Sequence, residues 1–450
     1  MPETLYDSKY HTMIYTPVEK LICRLAVPTI IITVVSSLYN IVDTYFISGL
    51  GTEAIAGVGI IFPLMNIINA IGLFFGQGAG NTISRMLGSK NREDASKMAS
   101  IGVFYSFFLS LFFITFMGMI FMPQLISLLG GTPEIMPYAK DYTFYILLGA
   151  PFMATSLVLN CLLRFQGSAF VSMIGMISGA VTNVILDYIF IIVLEMGVKG
   201  AAMATLIGQI LSFLLLLYGC YMKDNLRIRL KNLTFGMKYF KELFRGGFPS
   251  LIRNGMNSVS GIIVNVIAAQ FGAAAIAAMS LELRIITLPW SIIGGLGQGF
   301  QPVCGYNYGA ENYARVKKGF WFCVKLSTLI LAITSIFLYF KADTIIALFK
   351  VDDIEVIQLS INLLRAASFV LPLLGWITML GMMLQTMGRV VSASLMSVAW
   401  QGFLIPSLFL LIPLFGIEGL YYRNPLSLFL TFLLSIPLGI SAFKLLSIPS

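Results

Sequence analysis

The stretch Ile71–Gly80, I-G-L-F-F-G-Q-G-A-G, returns 221 residues later as Ile292–Gln301, I-I-G-G-L-G-Q-G-F-Q, with Gly76-Gln77-Gly78 falling on Gly297-Gln298-Gly299. The same shift carries Arg24 onto Arg245, Pro28 onto Pro249, Gly88 onto Gly309 and Asn91 onto Asn312. Further along it carries Lys97 onto Lys318, Pro151 onto Pro372, Leu163 onto Leu384 and Gly167 onto Gly388. A shift of 219 then sets Gly197 and Gly200 on Gly416 and Gly419. So many glycine and proline coincidences at one register mark a duplicated unit, because those residues answer to backbone demands that a copy must reproduce.

Both copies are rich in hydrocarbon. Of 450 residues 58% are hydrophobic and 11% charged, against roughly 25% charged in soluble domains; mean hydropathy is +0.89. Apolar runs of spanning length recur near 25–48, 54–80, 98–121, 142–163, 170–194 and 200–222. A second set follows near 247–271, 274–303, 319–340, 360–385, 392–415 and 417–446, with a weak break at 271–273. These predict an all-α polytopic membrane protein of twelve transmembrane helices in two six-helix lobes. Six is even, so both lobes enter from the same side and a pseudo-two-fold runs along the membrane normal. The expected organisation is an arm (1–24), an N-lobe (25–222), a linker (223–246) and a C-lobe (247–446). Two facing lobes in one chain enclose a cleft that can open on alternate sides, so a monomer suffices.

The net charge of +9 is distributed as a membrane topology signal, not as a nucleic-acid surface. Lys223, Arg227, Arg229, Lys231, Lys238, Lys241 and Arg245 crowd the linker, and Arg85, Lys90, Arg92 and Lys97 the loop after the second run. Alternate loops are poor in Lys and Arg, which puts both termini in the cytoplasm. The arm lacks the apolar core and cleavage site of a removable signal. No phosphate-binding G-x-x-x-x-G-K-[ST] occurs and no G-x-S-x-G elbow. The single histidine, His11, lies in the arm, and the five cysteines are scattered. Hydrolysis, nucleophilic catalysis and a histidine metal site within the bilayer are thereby excluded; the chain is not an enzyme, and an ion gradient remains as its drive.

An ion gradient needs a titratable or cation-binding group inside the bilayer, where carboxylates are costly and functional by default. Three qualify: Asp43, Asp187 and Glu282. Tyr39 with Asp43, and Asn183 with Asp187, stand four apart and share helix faces. Converging, they form an oxygen-rich nest suited to H⁺ or Na⁺. The repeat mates of the two aspartates, Val264 and a residue near Pro406, are not acidic, so ion coupling belongs to the N-lobe. Glu282 is two residues from Arg284, a candidate charge partner. A methionine-rich stretch with Met382, beside Trp376, suits an adaptable apolar cleft. Gln77, Glu282, Arg284, Gln298, Met382 and Trp376 are the substrate-cleft candidates.

The chain resembles the multidrug and toxic compound extrusion family, within it the DinF-like and MepA-like bacterial branch. The resemblance rests on L-A-V-P (Leu25–Pro28), the two G-Q-G motifs and I-S-R-M-L-G-S-K (Ile83–Lys90). Its most specific part is Leu163–Asp187, L-R-F-Q-G-S-A-F-V-S-M-I-G-M-I-S-G-A-V-T-N-V-I-L-D, followed by G-V-K-G-A-A-M-A-T (Gly197–Thr205). It implies a bacterial inner-membrane antiporter exchanging H⁺ or Na⁺, with no other cofactor, for small organic, often cationic, amphipathic substrates. It also implies an ion site made of Asp43, Tyr39, Asn160, Asn183, Asp187 and Thr205. Two departures stand out: Arg253, Asn254 and Asn257 where other branches carry an acidic residue, and Tyr421-Tyr422-Arg423-Asn424-Pro425 opening the last helix. The alternative on the same architecture is a flippase for lipid-linked anionic precursors, for which Arg253 and Arg284 speak.

Overall fold

The computed structural model describes residues 5–222, 224–234, 236–349 and 353–447; Lys223 of the basic linker lies outside them. The first unit holds α1 (Val18–Ser48), α2 (Thr52–Gly59 and Phe62–Gly88) and α3 (Arg92–Leu109, continuing through Ser110–Phe116). It is completed by α4 (Met136–Phe165), α5 (Ala169–Asp187, continuing as Tyr188–Val193) and α6 (Gly197–Tyr221). The second unit holds α7 (Met237–Ala269), α8 (Ala273–Gly309), α9 (Tyr313–Phe340), α10 (Ile354–Ser368 and Leu373–Thr386), α11 (Val390–Phe415) and α12 (Gly419–Leu445). The chain is thus the twelve-helix, two-lobed, all-α membrane fold that the repeat predicts.

The repeated residues have local reasons. Asn91 and Asn312 are N-caps, their side chains accepting from the backbone N–H of Asp94 and Arg315 at the starts of α3 and α9. Gly167 and Gly388 turn the chain after α4 and α10 at φ +82° and +77°, a conformation that favours glycine. Pro372 ends the break in α10, whose two pieces meet at 59° because proline cannot donate to the helix ladder. Two boundaries differ from expectation. Gly272, at φ +92°, makes a definite turn between α7 and α8 where hydropathy showed only a weak break. And α7 starts at Met237, inside the expected linker, because its first turns are amphipathic: Lys238, Lys241 and Arg245 are charged while Leu243 is fully buried.

The lobes meet through α1 against α8 and α2 against α7 and α8. At Gly295 and Gly299 a β-carbon would press on the backbone of Ile30 and Ala26, so this glycine pair lets α8 lie directly on α1. In α2 the glycines Gly72-x-x-x-Gly76-x-x-x-Gly80 pack on α4 within their own lobe, while Gly78, the repeat mate of Gly299, lies against the backbone of Leu243 in α7. Polar bonds bridge the same contact. Thr29 Oγ1 donates to the Gly295 carbonyl (2.7 Å) and Thr33 Oγ1 to that of Ser291 (3.1 Å). Arg85 pairs with Glu242 at 3.0 Å and donates to the Thr386 carbonyl at 2.7 Å, while Thr386 Oγ1 donates to Asn81 Oδ1 at 2.8 Å. These residues all lie in the halves of the helices nearest the two termini. Farther from the termini, Gly261 of α7 has nothing packed against it and lines a cavity. The lobes are therefore closed on each other at the end bearing the termini.

Candidate functional site

Asp43 lies late in α1 and Asp187 is the last α-helical residue of α5, followed by a π-helical turn, Tyr188–Val193. Such turns recur at functional sites because they re-aim side chains. The two carboxylates, the phenols of Tyr39 and Tyr142 and the hydroxyl of Thr205 of α6 are close neighbours in this region. Asn183 Nδ2 donates to Thr205 Oγ1 at 3.2 Å. Asp43, Asp187, Asn183 and Thr205 are all buried. The decisive feature is what lacks a partner: Asp43 Oδ1, Asn183 Oδ1 and both carboxylate oxygens of Asp187 are buried with no donor. Buried polar atoms are almost always satisfied, so four orphaned acceptors in one place call for a proton or a cation. The donor set, hard oxygens alone, fits H⁺ or Na⁺. Among the described residues no cluster of three or more His, Cys, Asp or Glu occurs.

A cavity of about 270 Å³ adjoins the site, lined by Tyr39, Asn183 and Thr205 and reaching Ser36, Asn69 and Ser156. Asn160 sits elsewhere. It bonds Ser172 Oγ at 2.7 Å and lies 18 residues beyond Tyr142 along α4, a rise of about 27 Å. Tyr142, fully buried, is the α4 residue beside the carboxylates, the place that the family resemblance gives to Asn160.

The C-lobe carries its own cavities, of about 190 and 400 Å³, which share Asn257, Trp290, Trp400 and Gln401. Gln298 and Met382 line the first; Glu282 lines the second. Glu282 is not partnered by Arg284, which is exposed, but by two residues of the unusual α12 opening. Arg423 Nη2 donates to Glu282 Oε2 at 2.7 Å and Asn424 Nδ2 to Oε1 at 2.9 Å, with both charged side chains buried. Trp376 packs against Phe320 and Trp321 and donates to Ser435. Gln77 lies in the closed contact between the lobes, accepting from Asn81 and Gln301. Trp376, Arg284 and Gln77 line neither C-lobe cavity. Gln298 accepts instead from Arg164, a fully buried arginine of α4.

The MatE family profile matches residues 28–189 and again 249–410, so both ends of the match are offset by 221 residues, the register of the repeat. The chain belongs to the MatE family. Among its relatives, the multidrug export protein MepA of Staphylococcus haemolyticus is 30% identical over 90% of this chain and 89% of its own. MepA of Staphylococcus aureus (strain MSSA476) is 28% identical over 92% of each. Among solved structures, a multidrug resistance MATE family transporter in an outward-facing conformation superposes with a TM-score of 0.89 at 25% identity, covering 97% of this chain and 98% of that one. As a MatE member the chain is a membrane transporter and not an enzyme, and its lobes are closed on each other at the end bearing the termini.

Proposed function

We propose that the protein is a cation-coupled exporter of small organic, often cationic, compounds, working by alternating access. The observation that carries this reading is the set of orphaned acceptors on Asp43, Asn183 and Asp187. Two carboxylates sharing a dry site cannot both stay ionised without compensation, so the site holds a proton or Na⁺ in one state and surrenders it in another. Loss of the ion leaves repelling charges on α1 and α5, and α1 is also the helix that bonds α8 at the closed gate. Neutralisation on one side and release on the other thus bear directly on the contact that must break. Multidrug export, for which the MepA relatives are named, supports this reading. The basic linker at the closed end supports a cytoplasmic side for the termini and, with it, an outward-facing reading of this conformation.

The test is dye efflux from proteoliposomes under an imposed pH gradient and, separately, an imposed Na⁺ gradient. Asp43→Asn and Asp187→Asn should each reduce gradient-driven efflux to near background, while downhill exchange persists. Full gradient-driven efflux by the double variant, at equal reconstitution, would refute the reading. The flippase alternative has one observation on its side, Arg253 at the wall of a C-lobe cavity. Retention of a pyrophosphate-linked lipid with no binding of cationic dye would favour it.

A further inference from the structure

The cavities of the two lobes occupy equivalent places. At the 221-residue shift Ser36, Tyr39, Met65 and Asn69 of the N-lobe wall become Asn257, Ser260, Ile286 and Trp290 of the C-lobe wall; Leu157, Gly179 and Ala180 become Thr378, Trp400 and Gln401. Each wall strands a hydroxyl, Ser156 Oγ in the N-lobe and Thr378 Oγ1 in the C-lobe, but their other unsatisfied groups differ. The N-lobe site strands the acceptors of Asp43, Asn183 and Asp187. The C-lobe wall strands Trp400 Nε1, which can only donate. Arg253 lines the same cavity as Trp400 and Thr378. Its hydrogen-bond partner among the described residues is Ser250 Oγ, at a long 3.4 Å, and it makes no ion pair. The carboxylate lining the neighbouring cavity, Glu282, is already consumed by Arg423. Buried donors without acceptors and a cation without a counter-ion ask for an anionic, acceptor-rich group.

We propose that the C-lobe cavity binds a carboxylate of the transported molecule, held by Arg253 with Trp400 and Thr378, so that zwitterionic organic compounds are bound in preference to pure cations. The inference rests on the export reading for the identity of its ligand as cargo. The N-lobe contributes the acidic field that favours the cationic end, and the C-lobe receives the anionic end. A guanidinium accepts a carboxylate through two parallel bonds, and an aromatic wall formed by Trp290 and Trp400, 5.2 Å apart, supplies contact area for a flat ring system.

The experiment compares two dyes that differ only at one carboxyl group, rhodamine 110 (free acid, zwitterion) and rhodamine 123 (its methyl ester, cation). Binding to the purified full chain is read by fluorescence polarisation at pH 7 without any gradient. The wild type should bind the acid about 10-fold more tightly than the ester, as one bidentate charged contact predicts. Arg253→Gln should remove that preference by weakening the acid about 10-fold and leaving the ester within about twofold. Trp400→Phe should weaken the acid alone, by about threefold, through loss of one donor. Equal binding of acid and ester by the wild type overturns the proposal, and so does an equal loss of both dyes in Arg253→Gln. If Arg253→Gln does not fold, Arg253→Lys and Trp400→Phe carry the same comparison, and an unchanged acid-to-ester ratio in both overturns it. Failure of the export reading shows separately, as gradient-driven efflux that survives Asp43→Asn with Asp187→Asn.

Discussion

Arg85 offers a quantitative test of the closed gate. It sits in α2 and reaches two C-lobe partners, Glu242 of α7 at 3.0 Å and the Thr386 carbonyl of α10 at 2.7 Å. Both must part when this closed end opens. A hydrogen bond to a charged group contributes about 1.5–3 kcal/mol, and the ion pair is partly screened because Arg85 and Glu242 are 15% and 25% exposed. Arg85→Met removes both bonds yet strands no carboxylate, since Glu242 keeps Arg245 at 2.7 Å. The closed gate should lose about 2 kcal/mol, a shift of about 30-fold in the closed-to-open ratio. Spin labels at Ser89 and Ala314, exposed on opposite lobes at this end, report the gate by double electron–electron resonance once Cys23, an exposed native cysteine, is replaced. Arg85→Met should add a longer-distance population that the parent lacks under the same conditions. An unchanged distance distribution would show that these bonds do not hold the gate.

Three further outcomes follow from particular contacts. Arg164 is fully buried on Gln298, Cys161 and the Phe165 ring, with Nε unpartnered; Arg164→Met removes this buried charge and should raise thermal stability by about 1–4 kcal/mol. A lowered melting temperature in a gradient-free melt would contradict this. Gly299→Ala puts a methyl group on the Ala26 backbone, and should open the gate with a cost of about 1–3 kcal/mol, read with the same spin-label pair; an intact closed distance would sink it. Burial pushes the Lys9 amine of the N-terminal helix down to about 8, against 10.5 for a free lysine, where it donates to Ser168 and Asn225. Between those values the folded chain binds fewer protons than the unfolded one, so stability rises with pH from about 8 towards 10.5. A titration of the methylated lysine by NMR should show the low value, and a midpoint near 10.5 would mean that this helix is not docked.

The two-lobed architecture was legible because its markers are backbone demands. Asn91 and Asn312 cap helices, Gly167 and Gly388 turn them, and few residue types serve as well, so duplication kept them in register. Helical spacing brought Tyr39 to Asp43 and Asn183 to Asp187 for the same reason: a local period was enough. What escaped the sequence were contacts between distant segments and departures from the ideal helix. The start of α7 is polar on one face, so a hydropathy window passes over it. The π turn at Tyr188 has no compositional sign. Tyr142 enters the site from α4, and Arg423 meets Glu282 across 141 residues; neither pairing has a spacing to read. Arg284 was the nearest cation to Glu282 in sequence, but positions two apart point to different faces of a helix, and it is exposed.

The three intramembrane carboxylates therefore divide by how their cost is met, and the division predicts opposite signs for the same chemical change. Each carboxylate costs about 2.5–3.5 kcal/mol at the centre of a bilayer helix. For Glu282 a buried guanidinium and an amide offset that cost, so Glu282→Gln strands Arg423 and should destabilise the protein by about 3–5 kcal/mol. Replacing both partners with apolar residues should restore most of the loss, because the stranded charge is gone. Asp187 has no donor on either oxygen, so nothing is stranded when its charge is removed. Asp187→Asn should leave thermal stability equal or higher while abolishing coupling. A structural carboxylate fails in folding before it fails in transport; an exchangeable one does the reverse. Melting curves of the two variants at one pH decide the matter, and destabilisation by Asp187→Asn comparable to that by Glu282→Gln would mean that Asp187 is a structural charge with a fixed partner, not an exchange site.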